Sequence, residues 1–478
     1  MKKIFRTITA LGLACLALTS CNKFLEVNPE GEVFDADMFS SEEGYEDALY
    51  GIYSEIGTGE FLYAGYLLWT PEALSHNVTC TDYKLGIMQN GIWKGTSNDV
   101  PDKIWGKAYT AINHLNNILG HIETGGDNEF RHTPIFKGEA LALRALLHFE
   151  LLRLYGAPLW ASDSQKAEAI PYVTSYSFTI APFLSVEEAY RRIIRDLEEA
   201  EACLSEDATL LPAERHYSAT GFYDARITHM NLYAVQALLA RVYWSMDDMA
   251  NAERYALKVI DSGKFTFRPK SAFVNPVHGA LDFNETVFGL YSTDFQTRNR
   301  AKYQLGTTSS GGLFLAADWL QLYEDGSSDL GRDDRLAWFN EVDERIVKLV
   351  HSSYYDGTAF SGDAILGANI LRIPEMYYIV AEANIATDPQ KAAEYFNAVR
   401  SSRSLTPVDP AETPVTAEML FNERRKEYYG EGLTWHEMKK RGMDIPLASG
   451  SYLPGDSPDT YTMPVPDEEY ERRQNLDN

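Results

Sequence analysis

Along this chain, apolar residues recur mostly at three- and four-residue spacing, the period of a helix buried on one face. The stretch 42–56 puts Tyr45, Leu49 and Ile52 on one side. The stretch 102–119 continues the pattern through Ile104, Ala108, Ala111, Ile112, Leu115 and Ile118. Pro134 opens a helix predicted to run to Tyr155, because proline suits a first helical turn. Ser185, with Glu188 three residues on, forms a capping box ahead of a helix over 186–202. Two hairpins follow the same logic, 228–244 with 249–261 and 374–386 with 389–400, and 416–429 is the last long helix. In the first hairpin Ala234, Ala237 and Ala240 allow close approach, and Ala252, Tyr255, Ala256 and Val259 pack back. The second repeats this with Ala381, Ala383, Ala392, Ala393, Tyr395 and Ala398. The predicted fold is mainly α: tetratricopeptide-like helical hairpins carrying long irregular inserts at 57–101, 156–184, 264–370 and 431–478. No strict repeat period runs through the chain.

The first twenty residues have a different pattern. Lys2, Lys3 and Arg6 precede an apolar run over 8–18. That run is shorter than the roughly 20 residues a lasting transmembrane helix needs, so 1–20 reads as a cleaved signal peptide. Leu18-Thr19-Ser20-Cys21 resembles a bacterial lipobox, with Cys21 as the acylated first residue. The alternative is an ordinary secretion signal with a chance cysteine. Cys15 fits less well, because Gly12 stands where a branched apolar residue belongs. Residues 21–478 then form a single domain tethered by lipid, since no second long apolar stretch follows. Each buried methylene of an anchor contributes roughly 0.8 kcal/mol, so several chains hold firmly where one does not.

Charge and composition narrow the function. The formal charge is −26, and removing the signal segment, with three basic residues and no acidic ones, makes it −29. Such a field repels nucleic acid. Cys80 and Cys203 remain after processing, and their spacing matches no metal motif. No His-Glu-x-x-His, Gly-x-Ser-x-Gly or glycine-rich phosphate loop is present. His114 and His121 are seven residues apart, with no carboxylate pattern to close a metal site. The sequence therefore predicts no catalytic residue, no cofactor and no metal.

A binder needs only a surface, and inserts on a rigid scaffold are where ligand contacts gather. With 29 tyrosines and 8 tryptophans the chain is aromatic-rich, and rings in inserts are the candidates for ligand contact. Trp69 and Tyr83 flank a polar stretch containing His76, Asn77, Thr79 and Asp82. Trp93 follows Gly91, and a nearby glycine lets a ring stand clear of the backbone. Later in the chain come Tyr291 with Asp294 and Arg298, then Tyr354 and Tyr355 beside Asp356. The candidate ligand-binding set is Trp69, Asn77, Tyr83, Trp93, Tyr291, Asp294, Arg298, Tyr354 and Tyr355. Trp105, Trp244 and Trp319 fall in helices and read as packing.

Several segments, in order, resemble the SusD/RagB family of outer-membrane nutrient-binding lipoproteins. They are CNKFLEVNPEG at the mature start, IWGKAYTAINHLNNIL, GEALALRALLHFELLRLYGAPLW, ALLARVYW, LRIPEMYYIVAEA, FNAVRSSR, NERRKEYYGEGLTWHEMKKRG and YTMPVPDEE. Within them, Glu139, Arg144, Arg372, Glu375, Glu423 and Arg424 read as buried ion pairs that fix helix crossings rather than as ligand contacts. The resemblance implies a surface-exposed, lipid-anchored protein of the outer membrane. It implies binding of a glycan or oligosaccharide, with peptides or protein fragments as the alternative, and delivery to a TonB-dependent SusC-like transporter. It also implies that the early insert and mid-chain loops share the ligand face.

Overall fold

The computed structural model describes residues 35–93, 99–125, 130–161, 166–215, 221–274, 276–303, 311–324, 332–342, 344–350, 364–447 and 449–474. The lipobox cysteine Cys21, and Tyr354 and Tyr355, lie outside the described residues.

The Thr133–Tyr155 helix runs through the middle of the molecule. Every residue from Gly138 to Tyr155 is buried, which explains its lack of a polar face. The Val100–Thr124 helix packs on one side of it and Val186–Cys203 on the other. From there the array continues through Leu232–Ser245, Met249–Asp261, Ile373–Asn384 and Pro389–Ser402, each packed on the one before. These are the expected helical hairpins, and their ends follow their caps. Ser185 Oγ accepts from the Glu188 amide, as the capping box requires, and Thr416 caps Ala417–Glu427 in the same way. One start differs from expectation. The Asn231 side chain caps the helix beginning at Leu232, leaving Arg226–Thr228 as a separate single turn.

The expected ion pairs lock these crossings, with partners the sequence did not name. Glu139 meets Arg226, His229 and Tyr53. Arg144 meets Asp196 and Asn116, and Arg241 grips both oxygens of Glu375 at 2.6 Å. Arg372 and Arg403 share Glu285 and Glu427, while Glu423 gathers Arg335, Arg400 and Lys426. All are buried, so each charge depends on its partner.

The inserts hold more regular structure than their sequence suggests. The expected irregular stretch 57–101 contains the Tyr66–Leu74 and Tyr83–Gln89 helices. The mid-chain insert contains Asp294–Tyr303, and the C-terminal one contains Thr434–Arg441 and Asp467–Gln474. Strand Thr286–Tyr291 pairs antiparallel with Gly367–Arg372, and Val78–Cys80 with Leu313–Leu315, which ties the early insert to the mid-chain one. Cys80 and Cys203 are both free. Among the described residues no helix is long and apolar enough to cross a membrane.

Candidate functional site

The candidate site is built on the Asp294–Tyr303 helix. Tyr291 ends the strand leading into it, opposite Gly367. A Cβ on Gly367 would lie 1.9 Å from the Leu290 carbonyl oxygen, so only glycine allows the two strands to meet there. Ser292 Oγ then accepts from the Phe295 amide at 3.0 Å and starts the helix. Phe295, Gln296, Asn299 and Tyr303 face inward and are buried. The opposite side carries Asp294 and Arg298, whose charged groups lie 3.6 Å apart, with Glu60 at 4.0 Å from Arg298.

At the far end of the helix Lys302 donates to Asp82 at 2.8 Å. Asp82 also caps the Tyr83–Gln89 helix by accepting from the Leu85 amide. One carboxylate thus fixes where Tyr83 stands relative to the Asp294–Tyr303 helix. Tyr83, next to Asp82, and Tyr291, at the end of the strand leading into the helix, are 65% and 56% exposed. Ten residues of helix span about 15 Å. The accessible groups on and around this helix are therefore two phenol rings, two carboxylates and a guanidinium. They supply flat apolar area with polar tips, suited to holding a ligand rather than transforming one. Among the described residues no group of three or more His, Cys, Asp and Glu side chains gathers to hold a metal.

Two expected contact residues are buried. Trp69 is buried in the Tyr66–Leu74 helix, and its Nε1 donates to Asn299 Oδ1 at 2.9 Å. Lys302 sits over its ring at 4.8 Å. Trp69 therefore supports the underside of the Asp294–Tyr303 helix and is not a platform itself. Burial, then the charges of Asp82 and Glu60, push the neighbouring Tyr66 hydroxyl well above its usual range, so it stays protonated. Asn77 is also fully buried: it donates to Glu72 and Thr434 and accepts from Arg425. Glu72 in turn accepts from the amides of Gly430 and Gly432, clasping the early insert to the C-terminal one.

Trp93 is half-buried. It lines a groove of about 810 Å³ with Asp99, Lys103, Trp105, Pro464 and Arg472, and Asp99 pairs with Lys84, the residue after Tyr83. The structure thus leaves Tyr83, Tyr291, Asp294 and Arg298 accessible on or near the Asp294–Tyr303 helix, and buries Trp69 and Asn77. Sequence reasoning missed Glu60 and Lys302. Lys302 lies on the helix that Asp294 and Arg298 announce by their four-residue spacing. Glu60 sits in a loop with no local signal.

Two family models match the chain: one described as starch-binding associating with outer membrane, over residues 23–244, and the SusD family over 320–446. Together they cover more than half of it. A SusD-like protein of Bacteroides ovatus is 27% identical over 91% of this chain and 83% of its own length. Among solved structures, a SusD superfamily protein from Bacteroides thetaiotaomicron superposes with a TM-score of 0.74. It is 22% identical over 91% of this chain and 98% of its own. Surface glycan-binding protein A from the same species gives 0.69, at 16% identity over 92% and 98%. The helical array, the inserts it carries and both model matches lead to one assignment: the chain belongs to the SusD/RagB family.

Proposed function

We propose that the chain captures a glycan or oligosaccharide at the outer-membrane surface, on the face between Tyr83 and Tyr291. It then delivers the ligand to a TonB-dependent SusC-like transporter. The family is one of surface nutrient binding and not of catalysis. One matching model is described as starch-binding, and one similar structure as a glycan-binding protein. The observation that supports this location is the pair of exposed tyrosines, Tyr291 at the start of one supported helix and Tyr83 next to the Asp82 that meets Lys302 on it. The C–H faces of a sugar ring would lie on the phenols, while Asp294, Arg298 and Glu60 meet its hydroxyls. Anchoring is through acylated Cys21, with the domain outside the cell.

The test is a glycan array run beside a peptide library, both probed with the soluble chain from Asn22 onward. Retention by one or a few related glycans is expected. Retention by peptides with no glycan bound would replace the glycan reading with the peptide alternative.

A further inference from the structure

The strands Glu168–Pro171 and Phe183–Ser185 pair antiparallel and carry a loop over 172–182. Its two ends are held by the surrounding helices. Tyr109 Oη donates to the Pro171 carbonyl at 2.7 Å and Asn116 Nδ2 to the Val173 carbonyl at 3.1 Å, both from the Val100–Thr124 helix. Tyr172 Oη donates to Asp196 at 2.6 Å, and the Val173 amide to His148 Nε2 at 3.0 Å. On the return side Arg473 donates to the Ala181 carbonyl at 2.7 Å. Between these fixed ends every residue from Thr174 to Thr179 is in solvent. Among them Tyr176 is 58% exposed and Phe178 is fully exposed.

Single apolar residues on a surface are ordinary, but this pair has two further properties. No charged residue occurs from Ala169 to Val186, although 23% of the whole chain is charged. The loop also stands beside the point where the described residues begin. Ser177, Thr179 and Ile180 line a groove with Asn113. Asn117, one turn on along the same face of that helix, donates to Asp35 at 2.7 Å, and His121, a turn further, meets the other oxygen of the same carboxylate at 2.7 Å. From Cys21 to Asp35 the chain, even fully stretched, reaches about 50 Å. A folded chain of this size is roughly 60 Å across. An anchor at Cys21 therefore keeps this face of the Val100–Thr124 helix, and the loop with it, on the membrane side. The strongly negative body is repelled by an anionic lipid surface, and a charge-free loop is the part that can approach it. A phenylalanine with a tyrosine two residues away suits the headgroup boundary, where a ring is buried and a hydroxyl stays wet.

We propose that the loop over 174–179 is a membrane-contact site. Phe178 and Tyr176 enter the headgroup layer of the leaflet that holds the anchor, and so orient the domain on the membrane. The proposal rests on acylation of Cys21 and not on where the nutrient binds.

The experiment is photocrosslinking in native cells of the full-length chain carrying Phe178→benzoylphenylalanine. Val342→benzoylphenylalanine, at a site 92% exposed on the mid-chain insert, controls for exposure alone. A lipid adduct at 178 several-fold above that at 342 is expected. The purified acylated chain in vesicles of phosphatidylethanolamine and phosphatidylglycerol should give the same adduct with no other protein present. An adduct of 178 with a protein in place of lipid would assign the loop to a protein partner and overturn the proposal. Lipid labelling equal at the two positions, or absent from 178, would overturn it as well. Wild type that membranes do not retain at all would remove the anchor, and this proposal with it; wild type that is retained without a lipid adduct at 178 removes this proposal alone.

Discussion

At the scale of single residues, Trp69 supports the proposed ligand face without belonging to it. Its indole fills space under the Asp294–Tyr303 helix and hydrogen-bonds Asn299. Trp69→Ala should destabilise the chain by about 3–5 kcal/mol, as loss of a buried tryptophan does. Trp69→Phe should cost less, about 1–3 kcal/mol, since it mainly leaves the Asn299 oxygen unmatched. Urea unfolding measures both. Glu139 sets a pH limit. Burial opposes its charge, but Arg226, His229 and Tyr53 outweigh this and hold its pKa down to about 2, against 4.5 in the unfolded chain. A depressed carboxylate contributes stability that is present above its unfolded pKa and is lost as pH falls through the folded value. The urea midpoint should therefore fall between about pH 4.5 and 2, and Glu139→Gln, although less stable at neutral pH, should flatten that fall. An unchanged slope in the variant would contradict this role. The sequence marks Glu139 and Arg144 as structural because charged residues inside a long apolar helix must be paired. It cannot separate Trp69 from Tyr83, because an aromatic residue in an insert looks the same whether its ring points in or out.

At the scale of elements, the long helices are legible because each leaves a periodic stripe and a cap. The 186–202 expectation misses the observed end by one residue. The short helices of the inserts are not legible. Tyr66–Leu74 contains Pro71 and is buried on nearly all sides, so it shows neither the period nor the composition of a surface helix. Its stability comes from tertiary contact, above all the clasp in which Glu72 accepts from Gly430 and Gly432. That clasp needs glycine. Gly432 has a φ of 70°, and a Cβ there would lie 2.8 Å from the Leu68 carbonyl oxygen. Gly432→Ala should cost about 1–3 kcal/mol from backbone strain alone, read as a lower unfolding midpoint. Hydrogen exchange should locate the loosening at Tyr66–Leu74 and leave Met249–Asp261 protected as before. Uniform loss of protection would show that the clasp is not local.

At the scale of the whole molecule, a negatively charged body suits a neutral ligand held by rings and hydroxyl contacts more than a polyanion. The proposed lipid anchor is a separate device. Cys21→Ala should release the protein from membranes, and wild type should incorporate labelled palmitate; a variant that stays attached would contradict the anchor. Fold and family are readable from segments that follow one another along the chain, whereas the proposed ligand face is readable only in pieces. Tyr83 and Tyr291 are far apart in sequence and meet one helix only through the Asp82–Lys302 contact and the Thr286–Tyr291 strand. The central claim is that this face holds the ligand. Calorimetric titration of wild type, Tyr83→Ala and Tyr291→Ala with the best glycan from the array tests it most directly, once circular dichroism shows both variants folded. Loss of a stacked ring should weaken binding by roughly 1–2 kcal/mol, a factor of about 5 to 30, in each variant. Affinities equal to wild type in both variants would place the binding site elsewhere on the molecule.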